Sequence, residues 1–138
     1  MKNFIVSNKG IAFEDFDEEI VVVNLPVGYY YSMKGTARKL FLQAVNGTNQ
    51  NNLAKYIVAN YDLALTEALV FTEQFIEKLY NNQLVVEIAP IEDIHYPEAT
   101  VKTSFENPSI EIYDDMQELL SLDPIHDVDS VQGWPLKK

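Results

Sequence analysis

Side chains able to do chemistry are few in this 138-residue chain, and they are poorly placed for it. There is no cysteine, which removes thiolate nucleophiles, disulfides and thiolate metal sites. Both histidines, His95 and His126, fall in the last third. The densest coordinating group is Asp123, His126, Asp127 and Asp129, a set suited to a hard or borderline metal. A calcium loop fails there, because Val131 and Gln132 stand where an oxygen ligand and then a glycine are required. The stretch reads as a solvated acidic turn, and no metal is assigned. Asp114 and Asp115 are adjacent, so they read as solvated charge rather than an acid and base pair. No phosphate-cradling glycine loop occurs. The chain is expected to be non-catalytic and to use no cofactor.

What remains is the hydrogen-bonding chemistry of the main chain. Gly28-Tyr29-Tyr30-Tyr31-Ser32-Met33 follows Pro26 and Val27, and consecutive aromatics after proline and glycine favour a strand. If this strand is an open sheet edge beside an apolar helix, its N–H and C=O groups form a receptor for an extended peptide. The alternative is an ordinary core strand.

The elements that must position it are legible in order. Ile11 to Phe16 alternates in part, Asp17-Glu18 turns the chain, and Glu19 to Leu25 is a β-branched strand. Asn24 to Gly28 reverses into the tyrosine strand, so three strands with short links make an antiparallel meander whose third member lies at an edge. From Thr36 the period becomes helical, with Ala37, Leu40, Phe41, Ala44 and Val45 on one face and Asn46-Gly47 as the stop. A second helix runs from about Asn49 to Tyr61, burying Leu53, Tyr56, Ile57 and Tyr61. Thr66 is the expected N-cap of a third helix, with Glu67 in its first turn. That helix ends at Asn81-Asn82-Gln83, and Leu84 to Ile88 adds a short strand. The expected fold is α+β and winged helix-turn-helix-like, a three-stranded antiparallel sheet followed by three helices.

Composition and charge set the boundaries. A hydrophobic content of 47% suffices for one core. Residues 1–90 carry 10 acidic and 7 basic side chains, and residues 91–138 carry 11 and 3. Residues 1–90 are therefore expected to form the domain and 91–138 an acidic C-terminal tail. The run Asn3-Phe4-Ile5-Val6 is too short for a signal segment and nothing reaches membrane-spanning length, so a cytoplasmic protein without membrane contact is expected. A DNA-reading helix shows Arg, Lys, Asn or Gln, whereas the third helix shows Glu67, Glu73, Gln74, Glu77 and Lys78. Nucleic acid is not an expected partner, and a winged-helix transcription regulator is the distant alternative.

The pattern Val21-Val22-Val23-Asn24-Leu25, Gly28 to Met33, Thr36-Ala37, the Asn46-Gly47 break and Phe75-Ile76-Glu77-Lys78-Leu79 before Gln83-Leu84-Val85 resembles the pyrroloquinoline-quinone biosynthesis protein D (PqqD-like) family. These are the peptide chaperones, or RiPP recognition elements, of ribosomally made and modified peptides. The resemblance spans roughly residues 11–88. It departs at Met33-Lys34, where the family often has Leu-Asn, and at Phe71, where it often has Asp. It implies a leader peptide added as a strand along Tyr29, Tyr30, Tyr31, Ser32 and Met33, with its apolar side chains against Phe71, Thr72 and Phe75 of the third helix. Plain core packing is the alternative for those three. It also implies two partners, a precursor peptide and a peptide-modifying enzyme.

In the tail, residues 91–104 read as a linker. Phe105, Pro108 and Ile110 repeat the spacing of a lasso-precursor leader motif, with a strand expected across residues 105–113. Chance is the alternative for so short a motif. With residues 89–104 as a tether, a coil of about 16 residues spans about 22 Å, enough to reach the groove of a body with a radius of gyration of about 12 Å. Exchange of tails within a homodimer is equally allowed. Residues 114–122 read as a short amphipathic helix, either docked or partner-binding. A second functional reading makes 91–138 a fused substrate, leader plus modified core, with Asp, His or Trp as targets.

Overall fold

The computed structural model describes residues 2–114. The elements are β1 (Asn3–Val6), β2 (Ile11–Asp15), β3 (Glu19–Asn24), β4 (Tyr29–Lys34), α1 (Gly35–Val45), β5 (Thr48–Asn49), α2 (Gln50–Asn60), α3 (Leu65–Asn81), β6 (Val85–Ile88) and β7 (Ile110–Tyr113). They form a mixed α+β fold with two antiparallel sheets, ordered β5-β1-β6 and β2-β3-β4-β7. Residues 115–122 of the expected helix and the cluster of Asp123, His126, Asp127 and Asp129 lie outside the described residues.

The meander forms as alternation requires, with Val22 opposite both Phe13 and Tyr31, and Ile20 opposite Met33. One sheet face is therefore the core face: Ile20, Val22, Tyr31 and Met33 are buried and pack in one cluster with Leu40 and Phe41 of α1. Phe13 adds its ring edge-on to Phe41 at 5.5 Å. Leu53 and Ile57 of α2 and Phe75 and Leu79 of α3 complete that core.

Two expectations about the elements need correction, and one element was not foreseen. The meander is three strands of a four-stranded sheet, because β7 from the tail joins β4. The N-terminal run is β1, clamped between β5 and β6. Finally, α3 begins at Leu65 with Ala64 at its N-cap and no side-chain cap, so Thr66 lies within the first turn.

The stop of α3 is a Schellman arrangement without glycine. Gln83 takes the left-handed conformation at φ 62°. The Leu84 N–H donates to Leu79 O at 3.0 Å and the Gln83 N–H to Tyr80 O at 3.0 Å. Leu79 and Leu84 are both buried, and this hydrophobic contact accompanies the motif. Gly10, at φ 76°, is required by the close passage of the β3–β4 turn, since a Cβ there would lie 2.6 Å from Pro26 Cδ.

Candidate peptide groove

The alternation of β4 sends its tyrosines to different places. Tyr31 and Met33 point into the core; burial pushes the Tyr31 phenol up, against a hydrogen bond from Asn24 that lowers it. Tyr30 lies on the other face and stacks on Tyr113 with centroids 4.8 Å apart. Ser32 is buried and its hydroxyl donates to Glu19.

The expected open edge is taken. Tyr30, Tyr31, Ser32 and Met33 stand opposite Tyr113, Ile112, Glu111 and Ile110 in an antiparallel ladder. The tyrosine strand is thus an inner strand, flanked by β3 and β7. The reason is visible in Ile110, which is buried at 8% exposure beside Met33 and closes the core face at that edge. Burial of an Ile side chain stabilises by about 1.5–3 kcal/mol, and the ladder satisfies main-chain groups that would otherwise stay open.

Phe105 supplies a second anchor. Its ring lies 5.6 Å from Tyr61, at 90°, and 5.0 Å from Phe71, wedged between the end of α2 and the first half of α3. Asn107, Pro108 and Ser109 then border a cleft of about 350 Å³ with Phe71, Gln74 and Phe75. Thr72 is buried, and its hydroxyl donates to Ala68 O at 2.9 Å. Phe75 is 2% exposed and belongs to the core cluster. Phe71, where the resembled family often has Asp, is the member of the three in ring contact with the tail.

β4 runs into α1 with no intervening loop. The junction is Gly35 at φ 56°, and a Cβ there would sit 3.2 Å from Glu106 Oε1. The carboxylate thereby lies by the start of a helix that has no side-chain cap and no acid in its first turn, where negative charge is favoured.

Residues 91–104 are not a free coil. The buried Asn52 amide donates to Glu92 O at 3.2 Å and accepts from the Ile94 N–H at 3.1 Å. Tyr96 packs edge-on to Tyr56 at 5.4 Å and donates to Gln43 Oε1 at 3.1 Å. The Ala99 N–H donates to Ala59 O at 2.8 Å and the Thr103 N–H to Asn60 O at 3.1 Å, while Thr103 O accepts from the Asp62 N–H at 3.0 Å. The last carbonyls of a helix have no partner within it, and here the tail provides two. Sequence periodicity placed Tyr61 among the buried residues but did not make it a wall of the Phe105 seat, and it missed Asn52 and the Tyr30–Tyr113 stack. The alternation Ile110-Glu111-Ile112-Tyr113 is the signal that points to the last of these.

Burial raises the phenols of Tyr56, Tyr61 and Tyr96 above the ordinary 10.0. The folded state therefore favours the neutral form. The associated stability is complete below pH 10.0 and is lost as pH rises through the raised values. Tyrosinate absorbance is expected to develop later in the folded chain than in urea, with protection of Ala99 and Thr103 amides falling over the same alkaline range. Coincident titration of the two states would contradict this.

Among the described residues no group of three His, Cys, Asp or Glu is placed to hold a metal, and no helix is long and apolar enough to cross a membrane. Glu67, Glu73, Gln74, Glu77 and Lys78 of α3 are exposed, so the charge on its solvent face is mostly acidic.

The described residues thus define an α+β domain in which an extended segment pairs with β4 and inserts an aromatic ring between two helices. No protein-family model matches the sequence, and no curated protein matches it. The fold is similar to that of the solved structure "TbiB1 in Complex with the TbiA(beta) Leader Peptide", at 19% identity and a TM-score of 0.57, over 62% of this chain and 99% of that one. At that identity the likeness is one of fold.

Proposed function

We propose that residues 1–90 are a non-catalytic recognition module for the leader of a ribosomally made peptide, which is bound by strand addition to β4 and presented to a modifying enzyme. The observation that carries this reading is the seat itself: a ladder along Tyr30–Met33 filled by an extended segment whose Phe105 enters between Tyr61 and Phe71. Main-chain bonds give affinity in such a mode and side-chain pockets give selectivity. The fold shared with TbiB1, whose structure contains the TbiA(beta) leader peptide, supports it. Tyr29, Tyr30, Tyr31, Ser32 and Met33 are the proposed strand of the site. Phe71, with Thr72 and Phe75 buried behind it, is the proposed helical wall.

The test is amide mapping on the full chain carrying Phe105→Ala and Ile110→Asp, titrated with a peptide of residues 100–114. Shifts concentrated at Tyr29–Met33 and Phe71 are expected. Shifts confined elsewhere, or none in a folded chain, would overturn the reading.

Because the occupant is part of the same chain, a second reading is also favoured, in which 91–138 is leader plus substrate. Co-expression with the modifying enzyme would then change the intact mass; an unchanged mass removes it.

A further inference from the structure

Resting on the recognition reading above, this inference concerns how the same site is regulated. We infer that residues 105–113 are a latch, an internal occupant that a separate peptide must displace strand for strand, with residues 91–104 as the strap that keeps it at hand.

Two features fit an occupant at the sheet edge. First, β7 is lightly held. Of Ile110, Glu111, Ile112 and Tyr113 only Ile110 is buried, whereas β3 buries Ile20, Val22 and Asn24 and β4 buries Tyr31, Ser32 and Met33. Ile112 is 44% and Tyr113 39% exposed. Second, its holding points are, apart from the Tyr113 ring stacked on Tyr30, interchangeable in kind: main-chain bonds along β4, one aliphatic anchor and one aromatic wedge. Any extended peptide with an aromatic five residues before an aliphatic offers the same set.

The strap gives the latch its advantage. A flexible tether supplies an effective concentration of about 1 mM, so a site with an intrinsic Kd of about 10 μM would bind an external peptide about 100-fold more weakly. Here the strap is fixed to the end of α2 through Ala59, Asn60 and Asp62 and to its start through Asn52. A docked strap searches less space than a coil, so the weakening is expected to be at least that large.

A disulfide provides the test, since the chain has no cysteine of its own. Ser32 and Glu111 stand directly opposite in the β4–β7 ladder, so a Ser32→Cys/Glu111→Cys chain locks the latch when oxidised and frees it when reduced. The probe is a fluorescein-labelled peptide of residues 100–114, read by anisotropy. The wild-type chain is expected to bind it about 100-fold more weakly than the Phe105→Ala/Ile110→Asp chain. The oxidised variant should not bind, and reduction should restore binding, the comparison being between the two redox states of the one variant. Equal binding by the wild-type, opened and oxidised chains would overturn the latch while leaving peptide recognition intact. No binding by the opened chain, with helical circular dichroism retained, would overturn recognition itself. Should the opened variant fail to fold, the two redox states of the cysteine variant decide the matter, and equal affinities refute the latch.

Discussion

Replacing Phe41 by Ala is expected to lower the unfolding free energy by about 3–5 kcal/mol, the usual cost of removing a buried aromatic ring and leaving a cavity. Phe41 has no exposed surface and is among the largest side chains so enclosed. It sits on α1 against the core face of the sheet, edge-on to Phe13. Neighbours on a helix and a sheet cannot both move into the space, so little of the cavity will close. Domains of this size hold only about 5–15 kcal/mol in total. The urea midpoint should therefore fall steeply with an unchanged slope, and all amides should lose protection together. A shift under 1 kcal/mol would mean that α1 is not what the sheet folds against.

Ile110→Asp should behave in the opposite manner. A carboxylate left in that seat without a partner would cost several kcal/mol, but β7 can leave whereas Phe41 cannot. The expected result is local opening. Losing the Ile burial, about 1.5–3 kcal/mol, should lower the protection of the β4–β7 ladder amides by about 10- to 100-fold at 1.36 kcal/mol per decade. Amides of α1 and α2 should keep theirs. Hydrogen exchange resolved by residue checks this. Global unfolding would show that the body depends on β7 for its stability, and the redox states of the Ser32→Cys/Glu111→Cys chain would then decide whether β7 still acts as a latch.

The contrast between these two residues also shows what the sequence disclosed. The β-branched run of Glu19–Asn24 and the aromatic run of Tyr29–Lys34 locate β3 and β4, because their side chains meet neighbours joined by short turns. The three helices follow from apolar spacing and from the polar stops at Asn46-Gly47 and Asn81-Asn82-Gln83. β1 did not follow. Its partners, Thr48–Asn49 and Val85–Ile88, are distant in the chain, and a four-residue apolar run carries no record of distant pairing. The occupant of β4 was hidden in the same way. Ile110–Tyr113 alternates as a strand should, yet alternation does not name the edge it joins.

The groove wall was legible only as a set. Phe71, Thr72 and Phe75 lie within four residues on α3, and which of them meets the tail depends on how the helix is rolled against α2. Spacing fixes their relative directions but not that roll. The structure gives Phe71 the ring contact with Phe105 and sends Thr72 and Phe75 inward. Asn52 escaped notice because a polar residue in a helix reads as solvent-facing, whereas here both ends of its amide bind the main chain of residues 92–94.

The antiparallel sense of the β4–β7 pairing gives the groove a compass bearing. Ile110 lies level with Met33 and Tyr113 with Tyr30, so a chain seated there travels away from α1 and departs beside the hairpin tip at Leu25 and Pro26. Anything carried downstream is delivered at that pole. On the proposed recognition function, a modifying enzyme would meet the residues that follow at the hairpin end, on the opposite side from the Phe105 wedge.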